Sequence, residues 1–186
     1  MNILLLGQKS YLLKDILLKN FHTITIKEDK IIDVDGYDFI ISFGYRYIIK
    51  EDIVNKFKNK IINLHISYLP YNKGADPNLW SFLEDSPKGV SIHQITKDLD
   101  CGDILLQKEV FFDDFDTLKT SYDKLINEIV SLFNDNSENI LNGKIIPFKQ
   151  KERGSYHTIK DKLKYEYLYK DLGYDTLVKD IKGKAL

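Results

Sequence analysis

The chain predicts an α/β fold, a mostly parallel twisted sheet with helices on both faces. Three observations predict it. Apolar runs of strand length alternate with stretches whose apolar residues recur at helical spacing. Several runs, such as Ile3-Leu-Leu-Leu6 and Phe39-Ile-Ile41, are continuously apolar, as strands buried on both faces must be. Clusters of Gly, Pro and Asn punctuate the boundaries between these segments.

Residues 2–6 form a strand closed by Gly7. Residues 11–18 are apolar at helical spacing and make the first helix. Residues 22–26 alternate and read as a second strand. Residues 38–43 follow Gly36 and Tyr37 and read as a buried parallel strand. An amphipathic helix is expected over 48–57, then another buried strand over 60–64. Residues 70–77 hold Pro, Gly and Asn and predict an irregular loop. One or two aromatic-rich helical turns follow over 78–83. Strands over 90–95 and 104–111 flank a loop at 96–103, and 117–133 form a long helix. The tail from Gly143 is less regular, with a small helical cap over 166–177. This βαβ rhythm is Rossmann-like, and such sheets bind ligands beyond the carboxyl ends of their strands. A single catalytic domain spanning 1–186 is expected, with a core over 1–150 and a C-terminal extension over 151–186.

Composition narrows the function classes. A chain of 186 residues is long enough for one domain with a real core. An apolar content of 43% and a charged content of 30% are those of an ordinary globular protein. The net charge of -1 gives no electrostatic reason to expect nucleic acid or a membrane surface. Arg46 and Arg153 are the only arginines, which argues against bidentate phosphate or DNA readout. The lone cysteine, Cys101, excludes an intramolecular disulfide. The first apolar run is too short for a signal peptide or a membrane span, so a cytoplasmic protein is expected. Four histidines without an HxH or HExxH spacing predict no metal site. Nothing here sets the oligomeric state, which leaves a homodimer open.

The chemistry concentrates at one strand exit. Asn63 and His65 close the apolar strand of Ile61-Ile-Asn-Leu-His-Ile-Ser-Tyr-Leu-Pro70. At i and i+2 they point to one face. Asp100 lies on the Gly-punctuated loop Leu99-Asp-Cys-Gly-Asp-Ile104. A carboxamide donor, an imidazole base and a carboxylate to orient it are the parts acyl transfer requires. A lone strand-end His is more often structural than catalytic, and it is the combination that points to chemistry. His93 reads as a sheet-face residue and Cys101 as a passive loop thiol. Ser67 lacks the Gly-x-Ser-x-Gly elbow of a serine hydrolase. The turn Gly7-Gln-Lys-Ser10 has no phosphate-loop pattern; Ser10 reads as a helix cap and Lys9 is retained as a substrate contact. Tyr68, Tyr71 and Trp80 surround the Pro-Gly loop, where aromatic faces suit a flat ligand.

At these residues the chain resembles the folate-dependent formyltransferases. The family pattern is an Asn-x-His ending a strand, a Ser-x-Leu-Pro loop and a later Asp-x-Gly-x-Ile. It stands here as Asn63-Leu-His65, Ser67-Tyr-Leu-Pro70 and Asp100-Cys-Gly-Asp-Ile104. Tyr68 to Trp80, Lys88-Gly-Val-Ser-Ile-His93 and Gly154-Ser-Tyr-His157 resemble the nucleotide-sugar and peptide-synthetase branches more than the purine or tRNA branches. The resemblance implies a formyltransferase fold with 10-formyltetrahydrofolate as co-substrate and no metal. It implies catalytic roles for Asn63, His65 and Asp100. It places the folate against Tyr45, Tyr47, Ile48 and Ile49 and against Ile95, Thr96, Lys97 and Asp98. The acceptor would enter past Tyr71, Asn78 and Trp80, with Lys9 a further contact. The implied acceptor is the primary amine of a nucleotide-linked deoxyamino sugar in surface-glycan synthesis. Two alternatives stay open: an aminoacyl group on a peptide-synthetase carrier protein, and a non-catalytic folate- or nucleotide-binding module of the same fold. Three departures bear on the resemblance. Cys101 stands where Thr or Ala is expected, the segment before Asp38 is short, and no β-barrel of the tRNA-directed enzyme follows.

Overall fold

The computed structural model describes residues 1–151 and 153–185. Strand β1 (Asn2–Leu6) leads through a 3-10 turn (Ser10–Leu13) into α1 (Lys14–Lys19), and β2 (Thr23–Lys27) follows. Next come β3 (Phe39–Ser42), α2 (Glu51–Lys56) and β4 (Ile61–His65). After these lie β5 (Lys73–Gly74), α3 (Pro77–Leu83), β6 (Gly89–Gln94), β7 (Ile104–Glu109) and α4 (Leu118–Leu141). The chain continues with β8 (Tyr156–His157), 3-10 turns at Asp161–Leu168 and Gly173–Asp175, and α5 (Val178–Ile181). Six strands form one sheet in the order β2-β1-β3-β4-β6-β7, and β5 pairs with β8 apart from it.

β1 pairs in parallel with β2 and β3, and β3 in parallel with β4. The bonds Gln94 N–H to Asp103 O and Val110 N–H to Lys88 O run β7 antiparallel to β6. The sheet is therefore mostly parallel with one antiparallel edge, as the βαβ rhythm predicts. No helix among the described residues is long and apolar enough to cross a membrane. The first apolar run is β1, with Ile3 to Leu6 fully buried.

The small helical cap expected over 166–177 is instead 3-10 turns at Asp161–Leu168 and Gly173–Asp175. Two further elements differ. The long helix runs eight residues past 133, to Leu141. Its polar end, Asn134-Asp-Asn-Ser-Glu-Asn, breaks the apolar spacing in the sequence, yet Ser137, Ile140 and Leu141 are buried there. Asn136 and Ser137 return hydrogen bonds to the backbone of Leu132 and Asn134. The other difference is the 70–77 loop, which contains β5, a strand only its pairing with β8 can form.

The chain divides into two compact units. The first comprises Met1–His65, Ile92–Leu106 and Val130–Lys149. Its core includes Leu4, Leu6, Ile40, Ile53, Phe57 and Ile61, with Tyr45, Ile49 and Ile95 packed on it. The second comprises Ile66–Ser91, Gln107–Ile129 and Gln150–Leu186. Its core is built from Leu79, Trp80, Phe82, Leu83, Leu118, Val178 and Ile181. The tail thus belongs with the 66–91 segment, because β8 pairs with β5 and α5 packs on α3.

Candidate active site

The site is assembled at the end of β4 in the first unit. Asn63 and His65 alternate in phase, so both face the same side of the sheet. Beyond β6, the loop carrying Asp100 returns to that face. Gly102 permits this return: a Cβ there would sit 1.8 Å from the carbonyl oxygen of Gln94. Asp100 itself adopts φ +52°, a left-handed conformation that Asp tolerates better than most residues.

The carboxylate of Asp100 faces three groups. Its Oδ2 lies 3.9 Å from His65 Nε2, within reach of an ion pair but beyond a hydrogen bond. Its Oδ1 lies 3.5 Å from Asn63 Nδ2 and 3.5 Å from His93 Nε2. His65 and Asp100 are each 8% exposed, so little water screens the charge.

His93, read from the sequence as a sheet-face residue, also reaches this cluster. It is 1% exposed and sits edge-on to His65, with ring centroids 6.1 Å apart. Its Nδ1 lies 2.8 Å from the carbonyl oxygen of Gln94, which assigns the proton to Nδ1. Nε2 of the neutral ring is then an acceptor, and Asn63 Nδ2 lies 3.3 Å from it. This contact orients the Asn63 carboxamide. A signal existed, since His93 lies in a buried strand, but the register of β6 beside β4 cannot be read along the chain.

The expected folate contacts fall on two loops of the same unit. Tyr45, Ile49 and Ile95 pack on one apolar cluster, which brings the two loops together. The Tyr45 hydroxyl donates to Asp29 O at 3.1 Å and accepts from Ile31 N–H at 2.9 Å, tying down the 29–31 segment. Burial raises its pKa above the usual phenol value, so it remains a neutral hydrogen-bonding group. Tyr47, Ile48, Lys97 and Asp98 are exposed, and the Thr96 hydroxyl donates to Asp98 O at 3.0 Å. Partly exposed apolar side chains on these loops suit a flat heterocycle. Lys9 lies half-buried in the first unit, its backbone N–H bonded to Phe43 O at 3.1 Å and its stem packed by Gly44.

The expected acceptor contacts lie in the second unit and do not all face outward. Tyr71 is half-buried, and its carbonyl accepts the Ser67 hydroxyl. Asn78 is 7% exposed, and its Nδ2 is spent on Leu118 O at 2.9 Å and Ser121 Oγ at 3.1 Å. Trp80 is 3% exposed. It stacks on His157 at 3.7 Å with the rings 5° from parallel, and Tyr165 meets it edge-on at 5.5 Å. Trp80 and Asn78 are thus buried within the second unit. Every residue of α3 from Asn78 to Leu83 is buried, so no face of that stretch is left to solvent. Cys101 is exposed, as expected of a loop thiol.

Residues 18–134, well over half of the chain, match the family model described as formyl transferase. The chain belongs to that family. Its structure superposes at a TM-score of 0.96 on the formyltransferase PseJ from Anoxybacillus kamchatkensis, at 52% identity over all of both chains. That crystal structure holds UDP-4,6-dideoxy-4-formamido-L-AltNAc and tetrahydrofolate. A 4-N formyltransferase from Francisella tularensis is 25% identical at a TM-score of 0.78, covering 90% of this chain and 79% of that one. The methionyl-tRNA formyltransferase of Finegoldia magna is 41% identical over 90 residues, 48% of this chain. The chain spans only 29% of that curated relative's length.

Proposed function

We propose that the chain is an N-formyltransferase that moves the formyl group of 10-formyltetrahydrofolate to the primary amine of a nucleotide-linked deoxyamino sugar. One observation carries the reading. Asn63, His65 and Asp100 converge on one strand end, in a chain that matches a UDP-sugar formyltransferase over its whole length.

The bound folate would supply an activated formyl group, and the sugar a neutral amine. The new N–C bond forms as the amine nitrogen attacks the formyl carbon. Asn63 keeps one Nδ2 proton on His93 and turns the other, which in this structure makes only the long 3.5 Å contact to Asp100, to the developing oxyanion, where a donor counts most in the transition state. His65 takes the proton the amine gives up and passes it to the departing folate nitrogen as the old C–N bond breaks. Asp100, 3.9 Å from His65 Nε2, stabilises the imidazolium while it exists. His93 holds the Asn63 carboxamide in its orientation. The reaction belongs to surface-glycan synthesis in the cytoplasm under this reading.

The test is formyl transfer from 10-formyltetrahydrofolate to a panel of nucleotide-linked amino sugars. Initiator methionyl-tRNA and an aminoacyl carrier protein are run beside them. Turnover of a 4-amino-4,6-dideoxy sugar nucleotide is expected. Formylation of the tRNA or the carrier alone would replace the acceptor. Tight folate binding without transfer to any amine would leave a binding module.

A further inference from the structure

A polar strap ties the tail of the second unit to the 70–76 loop. The Lys73 N–H donates to Ser155 O at 3.0 Å, and the Ala75 N–H to His157 O at 2.9 Å. The Asn72 N–H donates to Ser155 Oγ at 3.0 Å, and that hydroxyl donates to Glu84 Oε2 at 2.8 Å. The other Glu84 oxygen lies 2.9 Å from His157 Nε2, off the line of a well-formed hydrogen bond. Trp80 covers the face of the same imidazole.

The backbone is shaped for this strap at two glycines. A Cβ on Gly154, at φ +64°, would lie 1.9 Å from Pro70 O. A Cβ on Gly74, at φ +87°, would lie 2.4 Å from His157 O. Both contacts are closer than any side chain permits, so chain and loop meet backbone to backbone. Asn72 is fully buried beneath, with its Nδ2 donating to Ser86 Oγ at 2.8 Å. None of these groups lies in the Asn63–His65–Asp100 cluster.

We propose that Glu84, Ser155 and His157 are positioning residues for the amine acceptor, holding the 70–76 loop in the shape that receives it. The inference rests on the sugar N-formyltransferase reading, in which Tyr71 of that loop meets the acceptor. The strap's action is on the acceptor and not on the folate, whose contacts belong to other loops. Selectivity among amines is thereby set partly by a tail segment distant in sequence.

The experiment uses the full chain with His157→Gln and, separately, Glu84→Gln, each checked for folding by circular dichroism. Amide hydrogen exchange at Lys73 and Ala75 reads the strap with no substrate present. Trp80 is the only tryptophan, so its emission reports whether the imidazole stack exists in solution. Steady-state kinetics then use the sugar nucleotide that the wild-type chain turns over. Faster exchange at both amides is expected, with acceptor KM raised about tenfold and kcat and folate KM little changed. Unchanged exchange in both variants would overturn the strap. Faster exchange with an unchanged acceptor KM would overturn its role in positioning. A wild-type chain that formylates no sugar would sink the sugar reading instead, a failure visible before any variant is made.

Discussion

In the mechanism we propose, Asn63 is the central donor, held from β4 between His93 of β6 and the Asp100 loop. Its Nδ2 lies 3.3 Å from His93 Nε2 and 3.5 Å from Asp100 Oδ1. A donor left free to rotate would need reorganising at the moment of reaction, whereas one held by neighbours does not. Asn63→Ala and His93→Leu should therefore not add in kcat, since each removes the same oriented donor. The double-variant cycle should show a coupling of about 0.5–3 kcal/mol between contacting residues. Strict additivity would mean that His93 is only a packed core histidine. His65→Asn removes the base but keeps the volume and polarity of the site. Turnover should fall by about 10²–10⁴, the usual contribution of a positioned base. A folded variant with near wild-type kcat would remove His65 from the mechanism. Asn63, His65 and Asp100 were legible because a strand's period of two puts alternate residues on one face, and because a Gly-punctuated loop carries the acid. His93 was not, because its partner stands thirty residues away on another strand.

At the scale of elements, α4 owes its start to a buried carboxylate. Asp116 Oδ2 accepts from Lys124 Nζ at 2.7 Å and from the Asp113 N–H at 3.0 Å, and Oδ1 accepts the Thr120 hydroxyl at 2.9 Å. Burial alone would raise its pKa, but these donors together hold it below the ordinary value of 3.8. A group depressed in the folded state stabilises above its unfolded pKa, and that stability is lost as pH falls through the folded value. Asp116→Asn should cost about 1–3 kcal/mol at neutral pH, since it breaks charge-assisted bonds in a buried site. The gap between variant and wild type should close below pH 3.8, where the unfolded carboxylate takes its proton. Urea unfolding at neutral and acid pH measures both, and a gap that persists at low pH would mean the charge is not responsible. The α4 signal in the sequence stopped at 133 because apolar periodicity stops there. Its last two turns are held instead by buried Ser137, Ile140 and Leu141. The strap was equally hidden, since a two-residue strand has no periodicity of its own and exists only through its partner.

The whole molecule carries a net charge of -1 and almost no arginine. A nucleic-acid acceptor would require several phosphate contacts and a steep fall of affinity with salt. A sugar nucleotide presents a diphosphate and little more. In the acceptor panel, KM for the sugar should therefore vary only weakly between about 50 mM and 200 mM salt, a range over which multi-phosphate binding falls by orders of magnitude. Turnover should rise with pH as the sugar ammonium loses its proton, since only the neutral amine attacks. A steep salt slope would point to a polyanionic acceptor.

The alternation of strands and helices, the buried parallel sheet and the Asn-x-His strand end follow from the order of residues alone. Period and apolarity are properties of neighbours along a chain, and short-range sterics read them directly. The pairing of His93 with Asn63, the inward burial of Trp80 and Asn78, and the capture of the tail by the 70–76 loop arise only on folding. Each depends on which distant segments come side by side and in what register. That choice is made by burying apolar area and satisfying backbone donors across the whole chain, and no local stretch contains it.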